Sequence, residues 1–162
     1  MMVVVPDAAE VEVVAAAIIR AGRLLLAQRT RPAELAGLWE LPGGKAEPGE
    51  SAADALRREL AEELGIEAVA GARIGIDVPL REPLVLRAYL ATIVSGEPAA
   101  LDHAELRWVD AAELAVIDLV PNDRHWLDDL VSALAATSYG RDSAPFEAAS
   151  PAAQHPGPSA SA

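Results

Sequence analysis

The stretch GKAEPGESAADALRRELAEELGI, from Gly44 to Ile66, decides the fold, because it joins a glycine turn to a helix with a marked start and a marked end. Ser51 is placed to cap the first turn with its hydroxyl, and Asp54 three residues later completes an S-x-x-D capping box. Gly65 readily takes the left-handed conformation that ends helices, and Ile66 can supply the apolar contact of such an end. The sequence therefore predicts a helix that begins at Ser51 and stops at Gly65.

Apolar and acidic residues share this helix in a regular order. Its apolar stripe, predicted to pack on a core, consists of Ala53, Leu56, Leu60 and Leu64. Glu59, Glu62 and Glu63 are spaced i,i+3 and i,i+4, so their carboxylates project from one sector of the helix. Like charges at this spacing cost roughly 0.2–0.5 kcal/mol per pair. A hard divalent cation would compensate that cost, which indicates a Mg²⁺ or Mn²⁺ site; the alternative is a solvated charged face.

The same stretch fits the pattern G-x5-E-x7-R-E-U-x-E-E-x-G-U, where U is apolar, at every specified position. It therefore resembles the Nudix box, and the segments AQRT, GLWELPGGK and RWVDAAEL make residues 11 to 135 similar to MutT-type Nudix hydrolases. The resemblance implies an α/β/α sandwich with a mixed β-sheet between the box helix and a C-terminal helix. The residue pattern alone predicts an α+β or α/β domain with five or six strands and two main helices.

The remaining elements follow from periodicity and turn residues. An apolar run at 11–19 and a second strand at 24–29 predict a hairpin, and further strands are predicted at 38–41, 68–80, 83–94 and 105–109. Asp110 and Glu113 form a second capping box that predicts a short helix. A last helix is predicted after Asn122, and its buried stripe comprises Trp126, Leu127, Leu130, Val131 and Leu134.

Length and composition indicate one domain. Of the 162 residues 52% are hydrophobic, enough for a single core, which is predicted to span residues 1–138. Residues 139–162 are rich in Pro, Ala, Ser and Gly without an apolar period, so a disordered tail is predicted there. The absence of cysteine excludes disulfides, thiolate metal sites and cysteine nucleophiles. Because no apolar run reaches 18 residues and no signal peptide is recognisable, a cytoplasmic protein without a membrane partner is expected.

The formal charge of −12 restricts the partners. Binding to duplex nucleic acid depends on Lys and Arg at phosphates, so this balance argues against it. A small polyanionic substrate would be repelled as well, unless metal ions and a few well-placed arginines compensated its charge. A metal-dependent hydrolase of nucleoside triphosphates meets that requirement.

The resemblance also implies metal-site residues outside the helix. In the family, the carbonyl at the position of Gly43 is a metal ligand, and the two glycines after Pro42 allow close backbone approach and positive φ. Asp102, six residues before Trp108, aligns with an additional acid that MutT-type proteins carry in a loop, where Glu is commoner and reaches further. Arg58 is expected to brace the box acids. Which carboxylate takes the proton from water stays open between Glu59 and Asp102.

Three basic residues are candidates for substrate contacts. Arg29 closes the second strand, where the pattern allows either a solvated arginine or the phosphate contact that the resemblance implies. Lys45 beside the glycine turn could touch phosphate or remain solvated. Arg87 shares one face of its strand with Tyr89, and that face meets either the substrate or water.

The segment before the last helix bears on the base. In MutT-type enzymes it contributes a side chain to the nucleobase pocket; Asn there suits an oxidised guanine, whereas similar CTP pyrophosphohydrolases have Asp. Aligned on Pro121, Asp123 takes that position and Asn122 is its neighbour. Without the resemblance, Asp123 would be predicted to cap the helix.

These residues lead to a ranked set of functions. The resemblance implies Mg²⁺-dependent hydrolysis of a nucleoside triphosphate to a monophosphate and pyrophosphate, and the Asp123 alignment favours CTP, dCTP and 5-substituted dCTP in nucleotide-pool sanitation. An 8-oxo-dGTP diphosphatase is the first alternative, and a dinucleotide or ADP-ribose hydrolase is another. A non-catalytic Nudix domain that binds a nucleotide to regulate a partner is the alternative from a different class. The sequence does not indicate an oligomeric state.

Overall fold

The computed structural model describes the backbone of residues 9–142 and the side chains through residue 137. The predicted tail at 139–162 lies outside the described residues except for its first four positions. Those four belong to the last helix, which continues to Asp142.

Seven strands, three α-helices and one short 3₁₀ helix make up the described chain. In order they are β1 Val11–Arg20, β2 Arg23–Gln28, β3 Trp39–Glu40, β4 Gly43–Lys45, α1 Ala52–Leu64, β5 Glu67–Pro79, β6 Leu84–Ser95, β7 Leu106–Val109, α2 Ala111–Val116, the 3₁₀ helix Asp123–Trp126 and α3 Leu127–Asp142. Every strand predicted from the sequence is present. β4, within the segment predicted to be a glycine turn, is additional.

The strands form one mixed sheet in the order β3-β2-β1-β6-β5, with β4 added to β1 and β7 to β2. β1 and β2 form the predicted hairpin, with Ile19 opposite Leu24. β1 also runs parallel to β6 over eight residue pairs, whereas its pairing with β4 is antiparallel. β1 is therefore central in the sheet. Its nearly continuous apolar sequence suits this position, because both faces of such a strand are covered.

Helices cover both faces of the sheet, as predicted for an α/β/α sandwich. On one face α1 buries Leu56, Leu60 and Leu64 against alternate residues of β1. On the other face, α3 packs on β1 and β5, α2 packs on α3 and β7, and Trp126 and Leu130 are fully buried. The predicted stripe of the last helix is therefore confirmed.

Both predicted ends of α1 are present. Ser51 accepts a hydrogen bond from the Asp54 amide at 3.1 Å, and Gly65 has φ 68°. The prediction of the apolar stripe is wrong at one position: Ala53 is exposed, and Ala55 is fully buried instead. Ala55 belongs to the same buried cluster as Leu56 and Leu60, and α1 also contacts β4, a strand that the sequence did not predict.

Candidate active site

One cavity of about 490 Å³ opens beside β1, β3 and β4. It gathers residues from distant parts of the chain, and six of the predicted site residues line it. These six are Arg29, Gly43, Glu63, Asp102, Asn122 and Asp123. The long sequence separation between them shows that the sheet and its loops, rather than the box alone, build the cavity.

Arg58 ties the box acids to the turn that precedes the helix. Its Nε and Nη2 donate to the two carboxylate oxygens of Glu50, each at 2.9 Å, and Nη2 also donates to the Lys45 carbonyl at 3.1 Å. Nη1 donates to Glu59 at 2.9 Å and lies 3.5 Å from Glu62. These contacts place Arg58 among the acids as a brace. The Arg58 hydrogen bond lowers the pKa of Glu50 to about 2, and Glu50 in turn raises the pKa of Arg58.

Glu59 lies against the glycine turn. A Cβ atom on Gly44 would come within 2.4 Å of the Glu59 Cδ atom, so only glycine leaves space for this carboxylate. Burial raises the pKa of Glu59, and the hydrogen bond and positive charge of Arg58 partly oppose that effect. The Glu59 carboxylate therefore has little room to move, and Arg58 only partly offsets the cost of burying its charge.

Glu63 occupies the cavity wall beside Gly43. The Gly43 amide donates to Glu63 Oε2 at 3.3 Å. Burial raises the pKa of Glu63 to about 7; the charge of His103 lowers it and the charge of Glu59 raises it further. A carboxylate that is difficult to ionise in a buried position is a candidate for binding a cation or for moving a proton.

The glycine turn has a different geometry from the one predicted. Gly43 and Gly44 have no positive φ and instead form β4 antiparallel to β1. Close approach is the reason for glycine here, since a Cβ on Gly43 would lie 1.9 Å from the Val14 carbonyl oxygen. The predicted role of the Gly43 carbonyl as a metal ligand remains a prediction.

The acids fit a divalent cation by their chemistry. Glu59 and Glu63 offer oxygen ligands in a partly buried position, where burial raises their pKa values and a bound cation would favour the ionised forms. Glu62 is exposed beside them. Within residues 9–142, however, no three His, Asp or Glu side chains are already grouped as a metal site. The side chains would therefore have to converge when an ion binds.

Asp123 also lines the cavity and is 4% exposed. Its Oδ2 accepts a hydrogen bond from the Leu41 amide at 2.8 Å, and burial raises its pKa to about 7. The alternative that Asp123 caps the helix is wrong. Asn122 is the residue before the 3₁₀ helix, with no capping bond from its side chain, and the Asp123 side chain bonds across the chain to the end of β3.

Two cavity residues, Glu40 and His103, were not predicted as site residues. Glu40 Oε2 accepts from Arg29 Nη1 at 2.7 Å, and Oε1 lies 3.1 Å from His103 Nε2. The Glu40 hydrogen bond raises the pKa of His103. The sequence contained only a weak signal for this pair, since an acid before a glycine turn and a histidine in a loop are both ordinary surface residues.

Three other predicted residues have different surroundings. Asp102 lines the cavity but pairs with Arg31 at 3.2 Å in this structure. Lys45 has an exposed side chain and does not line the cavity.

Arg87 also lies outside the cavity, on the box-helix face of β6. It is held by Glu10 at 2.8 Å, Asp77 at 3.1 Å and Glu12 at 3.6 Å. The Glu10 hydrogen bond is the main cause of the raised pKa of Arg87. With three carboxylates around it, Arg87 is not presented to a substrate in the cavity.

The fold, the complete box and the acid-lined cavity define a class of enzyme. A family model described as the NUDIX domain matches residues 10–130, so the chain belongs to the Nudix family and is a Nudix hydrolase. It acts as a nucleotide diphosphatase, and members of this family generally use a divalent metal, usually Mg²⁺. The non-catalytic alternative is therefore set aside.

Two curated relatives and one solved structure illustrate the similarity. The chain is 54% identical over 125 residues to "Putative 8-oxo-dGTP diphosphatase 2" of Mycobacterium tuberculosis strain H37Rv, covering 75% of this chain and 89% of the relative. It is 42% identical over 129 residues to the CTP pyrophosphohydrolase of Escherichia coli K12, covering 78% and 95%. The crystal structure of a MutT NUDIX hydrolase from Burkholderia pseudomallei matches with a TM-score of 0.61 and 32% identity, covering 75% and 98%.

No helix within residues 9–142 is both long and apolar enough to cross a bilayer.

Proposed function

We propose that this chain is a Mg²⁺-dependent nucleoside triphosphate pyrophosphohydrolase that prefers CTP, dCTP and 5-substituted dCTP in cytoplasmic nucleotide-pool sanitation. The reaction converts a triphosphate and water to a monophosphate and pyrophosphate. The observation that carries the proposal is the single cavity that brings Asp123, Arg29 and Glu63 together. A carboxylate for the base, a cation for the phosphates and an acid of the box are thereby available to one bound nucleotide.

The box helix would hold the divalent ion through Glu59, Glu62 and Glu63, with the Gly43 carbonyl and Asp102 as further ligands; Mn²⁺ could replace Mg²⁺. When bound, the ion neutralises phosphate charge and activates water for attack on phosphorus. Arg58 keeps Glu59 oriented through its 2.9 Å hydrogen bond while its other nitrogens are anchored on Glu50. Arg29 contributes positive charge toward the polyphosphate.

Asp123 supports the preference for cytosine by the number of acceptors it offers. Its Oδ2 already accepts from the Leu41 amide, which leaves Oδ1 as the free oxygen. In the ionised form, which prevails above about pH 7, this free acceptor suits the exocyclic N4 amino group of cytosine, as in carboxylate readout of that base, and would repel the O4 acceptor of uracil or thymine. Guanine offers two adjacent donors, which two free carboxylate oxygens would match better.

Hydrolysis of 8-oxo-dGTP is the second candidate. It is favoured by the 54% identity to the Mycobacterium tuberculosis relative of that name and by Asn122, whose amide offers a donor and an acceptor at the same cavity. In that case Asp123 would accept from guanine ring and amino N–H groups.

A nucleotide panel with Mg²⁺ and resolved products tests this proposal. We expect CMP and pyrophosphate from CTP, with kcat/KM for dCTP well above that for dTTP and 8-oxo-dGTP. Asp123→Asn should weaken the preference in kcat/KM for dCTP over dTTP. The expected loss is equivalent to roughly 1–3 kcal/mol of free energy, the scale of one good base contact. Asp118→Asn, a nearby exposed aspartate, is the matched control and should leave the ratio unchanged. A much higher kcat/KM for 8-oxo-dGTP than for dCTP would contradict the cytosine preference.

A further inference from the structure

Glu40 lines the cavity and contacts side chains from two separate segments of the chain. One of its oxygens accepts from Arg29 Nη1 at 2.7 Å, and the other lies 3.1 Å from His103 Nε2. The Glu40 side chain is 18% exposed and that of His103 is 6% exposed. Because both contacts are part-buried and use separate oxygens, one carboxylate links the end of β2 to the loop before β7.

Arg29 is oriented by Glu40 and by one further contact. Its Nε donates to the Arg31 carbonyl at 3.0 Å while Nη1 donates to Glu40. Among the described residues, Nη2 has no hydrogen-bond acceptor within the protein. The two contacts fix the plane of the guanidinium, and the remaining nitrogen is available to an anion in the cavity that Arg29 lines.

The orientation of His103 depends on Glu40 even more strongly. The other ring nitrogen, Nδ1, is buried and has no hydrogen-bond partner in the part of the chain that the structure describes. The loop backbone is attached to β2 by hydrogen bonds on the later side of His103, through Ala104 and Glu105 to Gln28. On the earlier side, the Leu101 amide donates to the Glu63 carbonyl and Asp102 pairs with Arg31 at the exposed surface. The Glu40 bond adds the part-buried side-chain link between these two sides of the loop.

We propose that Glu40 and His103 are positioning residues of the hydrolase. The Glu40 carboxylate directs Arg29 toward the polyphosphate and, through His103, fixes the loop that carries Asp102. Neither residue itself needs to touch the substrate. The proposal rests on the hydrolase function and on the phosphate role proposed for Arg29, but it does not depend on which base is bound.

Two substitutions of His103 distinguish the effect of losing its hydrogen bond to Glu40 from the effect of losing side-chain volume. A Gln amide can place an N–H near the position of Nε2, whereas the shorter Asn places its amide near Nδ1 and cannot reach Glu40. We expect His103→Gln to retain kcat within about twofold, and His103→Asn to lower kcat roughly tenfold with little change in KM, since a hydrogen bond to a charged group is lost. Equal kcat values in the two variants would overturn the proposal.

Glu40→Gln tests the other contact, because an amide keeps only one of the two acceptor oxygens. We expect KM to rise and kcat to fall, each roughly tenfold. The double variant Glu40→Gln/His103→Asn should have the kcat of Glu40→Gln alone, since both changes remove the same link. Glu97→Gln, which removes a carboxylate that pairs with Arg20, is the matched control and should be silent. Multiplicative effects on kcat in the double variant would contradict the shared link.

Binding of inorganic tripolyphosphate with MgCl₂ supplies a readout without turnover and without a base. We expect it to raise the melting temperature of the wild type and of Glu97→Gln, and to raise that of Glu40→Gln much less. An equal rise in Glu40→Gln would refute the positioning of Arg29. If the nucleotide panel shows no preference for cytosine, this measurement is unaffected, so the two proposals fail separately.

Discussion

Asp123 should make the stability of the fold depend on pH, and replacing it by Asn should remove its contribution to that dependence. Burial raises the pKa of Asp123 from its usual 3.8 to about 7. The folded protein therefore binds a proton more tightly than the unfolded chain between these two values. The contribution of Asp123 to the free energy of unfolding therefore falls as the pH rises from about 4 to about 7.

The magnitude follows from the pKa difference. At 1.36 kcal/mol for each unit of pKa, the rise to about 7 corresponds to about 4 kcal/mol at and above neutral pH. Asp123→Asn carries no charge at any pH and still offers an oxygen to the Leu41 amide. The variant should therefore match the wild type near pH 4 and exceed its free energy of unfolding at pH 8 by up to about 4 kcal/mol.

Urea unfolding of both proteins at several pH values, without metal or nucleotide, is the assay. The difference between their free energies of unfolding isolates Asp123, because Glu63 and the other acids are common to both proteins. A constant difference from pH 4 to pH 8 would refute the reasoning. A variant that is less stable than the wild type at pH 8 would also refute it.

Two further predictions concern the box. Gly44→Ala should lower kcat about 100-fold, because its Cβ would lie 2.4 Å from Glu59 Cδ and force the carboxylate to move by about 1 Å; Gly71→Ala, with its nearest contact at 3.4 Å, should have no effect in the same assay. Equal activity of the two variants would contradict the close packing of Glu59. Arg58→Lys should lower kcat roughly 10- to 100-fold, because an ammonium cannot bridge Glu50 and Glu59 as the guanidinium does; a kcat within twofold of the wild type would exclude the bracing role.

Local signals in the sequence were sufficient for the elements and for the box. The boundaries of α1 follow from Ser51 and Gly65, which cap the helix as their chemistry predicts. The central strand follows from the apolar run of β1, and the last helix from the spacing of Trp126 and Leu130. Each of these depends on residues within a few positions of one another.

Features that depend on distant residues were not predictable in the same way. The strand β4 forms by pairing with β1, an earlier segment of the chain, and α1 buries Ala55 in place of Ala53. The Glu40–His103 contact joins residues 63 positions apart. The strand pattern left Arg87 facing either substrate or water, and the fold surrounds it with Glu10, Glu12 and Asp77.

Turnover of Glu63→Gln at saturating Mg²⁺ tests the central claim most directly, which is that the acids of the box helix form the catalytic centre of a nucleotide hydrolase. Phosphorus NMR would follow the triphosphate that the wild type hydrolyses best, and Glu67→Gln, which removes an acid paired with Arg57, would serve as the control. We predict a loss of at least about 100-fold in kcat for Glu63→Gln, because an anionic ligand is removed without loss of volume. Its free energy of unfolding without metal should not decrease above pH 7, since burial opposes ionisation of Glu63. Turnover near that of Glu67→Gln would contradict the account.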